Sequence, residues 1–198
     1  GACGGVDKIY FHKRLAAFCI GLGPFDGGGR QRARAVEVIN RCDYVSVRDG
    51  TSQKHCQSFG KQDVQVYTDP SLLSHLWVDK EKLKIASQID KPWLSLVLRD
   101  WPHDARGQAF TESLVRAADV LAARGERVRF VSLYKERDQH LIDRYSQHQW
   151  LCWDATEDSV EGFIAKFVGE SEVIISSRAH GVLLPASLGY PTIAVEIE

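Results

Sequence analysis

The chain has 198 residues, enough for one large domain or two small ones, and its 44% hydrophobic and 26% charged residues are an ordinary globular balance. A formal net charge of −1 argues against a general nucleic-acid-binding surface, and no apolar run approaches the roughly 20 residues needed to span a membrane. The five cysteines (Cys3, Cys19, Cys42, Cys56, Cys152) form no Cys-x-x-Cys pair and the seven histidines show no zinc-ligand spacing, which argues against a disulfide framework or a zinc knuckle.

Residues 15–21 (Leu-Ala-Ala-Phe-Cys-Ile-Gly) read as a buried strand, followed by a loop through Gly21-Leu-Gly-Pro-Phe25 and Asp26-Gly-Gly-Gly29. Arg30 to Arg41 is predicted helical, with Ala33, Val36 and Ile39 on one face. Asp43–Val47 reads as a short strand, and a helix follows to about Phe59 with Gly60 as its stop. Val64–Tyr67 is a further strand, ending at Thr68-Asp69-Pro70. From Pro70 to about Pro92 the pattern weakens into a charged, mixed segment, and the domain boundary is placed there, giving domains 1–76 and 77–198. Trp93–Leu98 is then a strand, 105–124 a helix with Phe110, Leu114, Ala117, Ala118 and Leu121 on one face, and Arg127–Leu133 a strand. Lys135–His148 reads as a helix, Trp150–Trp153 as a short strand, and Thr156 as the cap of a helix whose core side carries Phe163, Ile164 and Phe167. A strand ending at Ser176, a helix and a last strand near Val195 close the series. Strands alternating with helices predict parallel sheets. The second half reads as a complete Rossmann-like unit of about five strands, and the first half as the latter part of another. The chain has no methionine and no signal-peptide pattern, and it stops at Val195-Glu-Ile-Glu198, so a longer parent chain is expected.

Three strand ends carry chemistry. At Ser46-Val-Arg48-Asp49-Gly-Thr-Ser52, Thr51 or Ser52 can cap the next helix, and an arginine beside a helix N-terminus makes an anion site. Alternatively, Arg48 and Asp49 form a local ion pair. At Thr68-Asp69-Pro70 a turn or cap is the leading reading, with a catalytic role as the other. At Ser176-Ser-Arg178-Ala-His180-Gly181 a fixed cation and a titratable imidazole end a buried strand, where open α/β sheets bind ligands. This points to an anionic ligand and proton transfer, against the simpler reading of a capping serine and a packed histidine. Arg99-Asp100 either lines the cleft or pairs on the surface. Gly21-x-Gly23 with Gly27-Gly-Gly29 lacks the dinucleotide-binding spacing. Trp101, Trp150 and Trp153 read as core rather than sugar-stacking residues, and Lys135-Glu-Arg-Asp138 as a solvated helix start.

Taken in order across about residues 15–195, Gly21-Leu-Gly-Pro-Phe25, Ser46–Ser52, Thr68-Asp-Pro70, Ser176–Gly181 and Gly189-Tyr-Pro191 resemble the polysaccharide pyruvyl transferase family. The resemblance implies a GT-B-like α/β fold, two Rossmann-like domains facing a cleft, with the first incomplete here. The first domain would be the acceptor side and contribute Arg48; the second would be the donor side and contribute Arg178 and His180. It implies phosphoenolpyruvate as donor substrate, with no cofactor and no metal. The acceptor would be a sugar of an oligosaccharide, polysaccharide or lipid-linked glycan, and the products a pyruvate ketal and phosphate. Family positions of donor binding and catalysis fall on Arg48, Arg178 and His180, with Ser177, Gly181, Gly23 and Arg99 as further substrate-binding candidates. His180 would be the acid/base, while Arg48 and Arg178 would orient the donor and stabilise the departing phosphate. The expected setting is polysaccharide biosynthesis for the cell envelope, in the cytoplasm or at the membrane periphery. Two other readings stand beside it: a nucleotide-sugar glycosyltransferase of GT-B type and a noncatalytic glycan-binding module. The lack of an evident acid for a ribose favours phosphoenolpyruvate over a nucleotide sugar.

Overall fold

A computed structural model describes residues 14–23, 25, 29–99 and 105–195. The Gly1–Gly5 stretch, the glycine-rich stretch 26–28, Asp100, Trp101 and residues 196–198 lie outside the described residues. The chain divides into two compact units, Gly1–Pro70 and Ser71–Glu198.

In the first unit β1 (Ala16–Ile20), β2 (Tyr44–Val47) and β3 (Gln65–Val66) form a parallel sheet in that order. β3 is shorter than the expected Val64–Tyr67. The connecting helices are α1 (Gly29–Arg41) and α2 (Gly50–Ser58). α1 buries Ala35 and Ile39, an i, i+4 pair, and leaves the expected Ala33 exposed. These two pack with Cys42, Val45, Val47, Cys56, Phe59 and Val64 into one core. α2 ends as the sequence indicates, at Gly60, whose φ of +95° only glycine adopts without strain. Its cap differs from expectation. Neither Thr51 nor Ser52 caps it; the Asp49 carboxylate accepts from Ser52 N at 2.6 Å.

A 3-10 turn over Pro70–Leu76, which begins on the last residue of the first unit, leads into the second unit and α3 (Lys80–Ala86), capped by Asp79. The sequence reading found only a mixed segment here, because α3 buries a single side chain, Leu83, and is too short to show a period. There follow β4 (Trp93–Val97), α4 (Ala105–Ala123), β5 (Val128–Ser132), α5 (Lys135–Arg144), β6 (Trp150–Cys152), α6 (Val160–Ile164), β7 (Ser171–Ser176), α7 (Ala179–Ser187) and β8 (Thr192–Ala194). α6 widens into a π-helical turn over Ala165–Gly169. Its cap is Ser159 rather than Thr156, which instead bonds Asp154. α5 stops four residues before the expected His148, and α4 buries Thr111, Val115 and Ala118 while Ala117 stays exposed.

All five strands are parallel, in the order β6-β5-β4-β7-β8. Successive strand residues point to opposite faces, so β4 and β5 feed two cores. Leu96, Leu98 and Phe130 meet Val115, Ala118, Leu141 and Tyr145 on one face. Val97, Val131 and Ile174 meet Leu83, Phe163, Ile164, Phe167 and Val168 on the other. A sheet buried on both faces explains why its strands are mostly apolar on both sides. Chain order runs outward from β4 to β6, then resumes on the other side of β4 with β7. That reversal is the topological switch point, where the carboxyl ends of two neighbouring strands diverge and leave a crevice. One charge sits inside this sheet. Arg129, 5% exposed, bonds Ser95 Oγ at 2.9 Å, Glu170 Oε2 at 2.9 Å and Lys166 O at 2.5 Å. Burial pulls its pKa below the ordinary guanidinium value, against the opposing pull of Glu170. Among the described residues no helix is long and apolar enough to cross a membrane.

Candidate active site

Parallel strands bring their carboxyl ends to one edge, so in the first unit Gly21–Gly23, Arg48–Ser52 and Asp69 come together. The Arg48 guanidinium donates from Nη1 to Asp69 Oδ2 at 2.6 Å, while its Nε lies 3.9 Å from Asp49 Oδ2. Arg48 thus pairs closely with Asp69, 21 residues on, and more loosely with its neighbour Asp49, which also caps α2. Asp69 is buried at 8% exposure. Ser52 Oγ accepts from Leu22 N at 2.8 Å and so fastens the loop after β1 to α2. Gly21 faces Arg48 directly: a Cβ there would lie 2.6 Å from Arg48 Nε. Gly23, at φ +95°, approaches His55, whose ring takes an edge contact from Phe25 with centroids 5.0 Å apart.

In the second unit the switch point is bridged by Arg178. It follows β7, and its Nε donates to Leu98 O, just past β4, at 2.8 Å. Its Nη2 donates to Asp138 Oδ1, and Asp138 Oδ2 accepts from Ser132 Oγ at 2.7 Å. Asp138 thus corrects the expectation of a solvated helix start: it is 1% exposed and holds Arg178 from below. Ser176 Oγ donates to Arg178 O at 2.9 Å and accepts from Arg178 N at 3.0 Å, fixing the turn that starts α7. His180, the second residue of α7, is exposed.

Arg178 and His180 line a cavity of about 550 Å³ together with Arg99, Arg137, Tyr134, Trp77 and Trp153, over an apolar floor that includes Leu133, Phe163, Ile164 and Leu184. Three of the expected residues, Arg99, Arg178 and His180, therefore share one wall system. Ser177 and Gly181 stand outside that lining. Ser177 Oγ donates to Val97 O at 3.3 Å, and Gly181 is buried against Ser176 and Val97. Of the tryptophans read as core, Trp150 packs on Phe130 and donates to Tyr145 O at 3.1 Å, and Trp153 packs on Phe163 with ring centroids 5.4 Å apart while also lining the cavity. Tyr134 carries the Arg137 guanidinium 5.0 Å from its ring centroid.

Sequence reasoning missed Asp138, Arg137, Tyr134 and Trp77. No local signal separates Arg137 from Asp138: they are neighbours on one helix, and only the position of α5 over β5 turns one into solvent and buries the other. Beside the cavity, Lys135 Nζ pairs with Asp154 Oδ2 at 2.9 Å, and hydrogen bonds from Thr156 and Lys135 hold the Asp154 carboxyl well below the ordinary carboxylate range. Burial pushes the Cys152 thiol up, which disfavours the thiolate a nucleophile needs.

The arrangement supplies a fastened guanidinium, further cations and an imidazole around one polar-walled, apolar-floored space at a Rossmann switch point. Such a site can hold a small anion and move a proton beside it. No curated protein matches the chain. A family model described as polysaccharide pyruvyl transferase matches residues 5–198, nearly the whole length and both units, and on that match the chain belongs to the polysaccharide pyruvyl transferase family.

Proposed function

We propose that the protein moves a pyruvyl group from phosphoenolpyruvate onto two hydroxyls of a glycan sugar, forming a pyruvate ketal and releasing phosphate. The observation that supports this reading most directly is the shared cavity of Arg178, Arg99 and His180 at the strand switch point of a chain in this family. Phosphoenolpyruvate carries a carboxylate and a phosphate, and forked guanidinium donors match both. Arg178 is fastened on two sides, so it can orient the donor with little reorganisation when the bond breaks. In this reading Arg48, held by Asp69, is a further donor-binding candidate.

The chemistry follows in balanced steps. Protonated His180 gives its proton to the methylene carbon, C3, which becomes the methyl group, and positive charge develops at C2. A first sugar hydroxyl adds to C2 and returns its proton to His180. The bond from C2 to the phosphate oxygen then breaks. A second hydroxyl of the same sugar adds to C2, and its proton leaves with the phosphate. The aromatic side chains Trp77, Tyr134 and Trp153 offer faces against which a sugar ring can stack.

The test is phosphate release from phosphoenolpyruvate by the full-length protein with galactosyl, mannosyl and glucuronosyl acceptors. Release with one of them is expected. His180→Gln should lower it by about 10²–10⁴, the usual worth of a positioned general acid. Absence of release with every acceptor would overturn the proposal, and binding of a UDP-sugar but not phosphoenolpyruvate would turn it toward the glycosyltransferase reading.

A further inference from the structure

We infer that Asp138 is the positioning residue of the donor site: its carboxylate sets where the Arg178 guanidinium stands. The inference rests on the donor role proposed for Arg178. Asp138 lies in the first turns of α5, on the side turned to the sheet, and its side chain is 2% exposed. A carboxylate so placed is costly to bury unless it is both paired and hydrogen-bonded. It meets both conditions. Ser132, the last residue of β5, donates to Oδ2 at 2.7 Å, and Arg178, 40 residues along the chain, donates to Oδ1.

The geometry makes this more than a local pair. Arg178 belongs to the turn after β7, and its second anchor, Leu98 O, belongs to the stretch after β4. Asp138 brings in a third element, α5, and Ser132 a fourth, β5. The guanidinium is therefore held across β5, β4 and β7 at the edge that opens on the cavity. The bond to Leu98 O fixes the guanidinium at Nε, and the Asp138 carboxylate fixes it at Nη2 and balances the buried part of the positive charge. Asp138 does not line the cavity, so it acts through Arg178 and not on the donor itself.

A residue acting in this way should change donor affinity while leaving the fold intact. Asp138→Asn keeps the shape and one carbonyl acceptor but removes the charge. A displacement of about 1 Å at a positioned group can cost about 10² in rate, so the variant should lose about 10–100-fold in kcat/KM for phosphoenolpyruvate. Because Arg178 grips the donor before and during reaction, much of the loss should be in KM. Ser132→Ala leaves Arg178 untouched but loosens Asp138; it should shift KM in the same direction by less. A purely structural role would instead lower the thermal midpoint and the active fraction and leave KM unchanged.

The experiment compares wild type, Asp138→Asn and Ser132→Ala in three readouts: thermal midpoint, KM and kcat for phosphoenolpyruvate, and hydrogen exchange of the Arg178 Nε–H by nitrogen-15 NMR. Raised KM with fast Nε–H exchange in Asp138→Asn, and intermediate values in Ser132→Ala, are expected. An Asp138→Asn protein that is folded, with unchanged KM or a still protected Arg178 Nε–H, would overturn the inference. Wild-type protein that releases no phosphate would overturn the donor reading instead, and the NMR readout would still decide whether Asp138 holds Arg178.

Discussion

Gly181→Ala should destabilise the second unit by crowding the turn that carries Arg178. A Cβ at this position would clash with Ser176 Oγ and would lie 3.1 Å from Val97 Cγ1 and 3.2 Å from Ser176 Cβ. Ser176 and Val97 are both 0% exposed, on neighbouring strands of the central sheet, and have little room to move. Forcing one methyl into such packing costs about 1–3 kcal/mol. The serine can evade the methyl only by rotating, which breaks its hydrogen bonds to Arg178 N and Arg178 O, each worth about 1 kcal/mol net. Against this, alanine gains about 0.5–1 kcal/mol over glycine inside a helix. The balance is a loss of about 1–3 kcal/mol, read as a fall in thermal midpoint of roughly 2–4 °C for each kcal/mol. The assay is thermal unfolding, followed by circular dichroism, of wild type, Gly181→Ala, Ser176→Ala and the double variant. With the hydroxyl gone, the glycine substitution should cost at least about 1 kcal/mol less than in wild type. Equal cost in both backgrounds would refute the crowding argument.

Three further outcomes follow from the same contacts. Asp49→Ala removes the α2 cap and should cost about 1 kcal/mol in chemical denaturation, whereas Thr51→Ala, one of the two caps expected from sequence, should cost nothing measurable. Glu170→Ala strands the Arg129 guanidinium; because Glu170 is 27% exposed and four other acceptors remain, a loss of about 1–3 kcal/mol is expected, and a stable Glu170→Ala protein would contradict the buried-charge account. Asp154 has a folded pKa below its unfolded value, so its contribution to stability is present above about pH 4 and is lost as pH falls further. Asp154→Asn should therefore be less stable than wild type near pH 6, with the difference shrinking toward pH 3; a difference that grows on acidification would reverse the sign of the argument.

Much of this protein was legible in its sequence because the signals are local. Trp93–Leu98 and Arg127–Leu133 read as strands from their mostly apolar composition, and Gly60 and Gly125, both at positive φ, marked where helices stop. Ser176-Ser-Arg178-Ala-His180-Gly181 announced a strand end with a cation and an imidazole, and chain order alone predicted parallel sheets. Tertiary structure decided which charges are buried and with whom. Asp69 leaves its own turn to take Arg48, Asp138 leaves the solvent to take Arg178, and Arg129 lies inside the sheet on Glu170. It also packed both Trp150 and Trp153 against core side chains but opened only Trp153 on the cavity, although they are three residues apart. The physical reason is the same in each case. Periodicity reports how a residue relates to its own helix or strand, whereas burial of a charge is tolerable only beside a partner. These partners lie 21, 40 and 41 residues away, where only the packing of strands and helices can bring them.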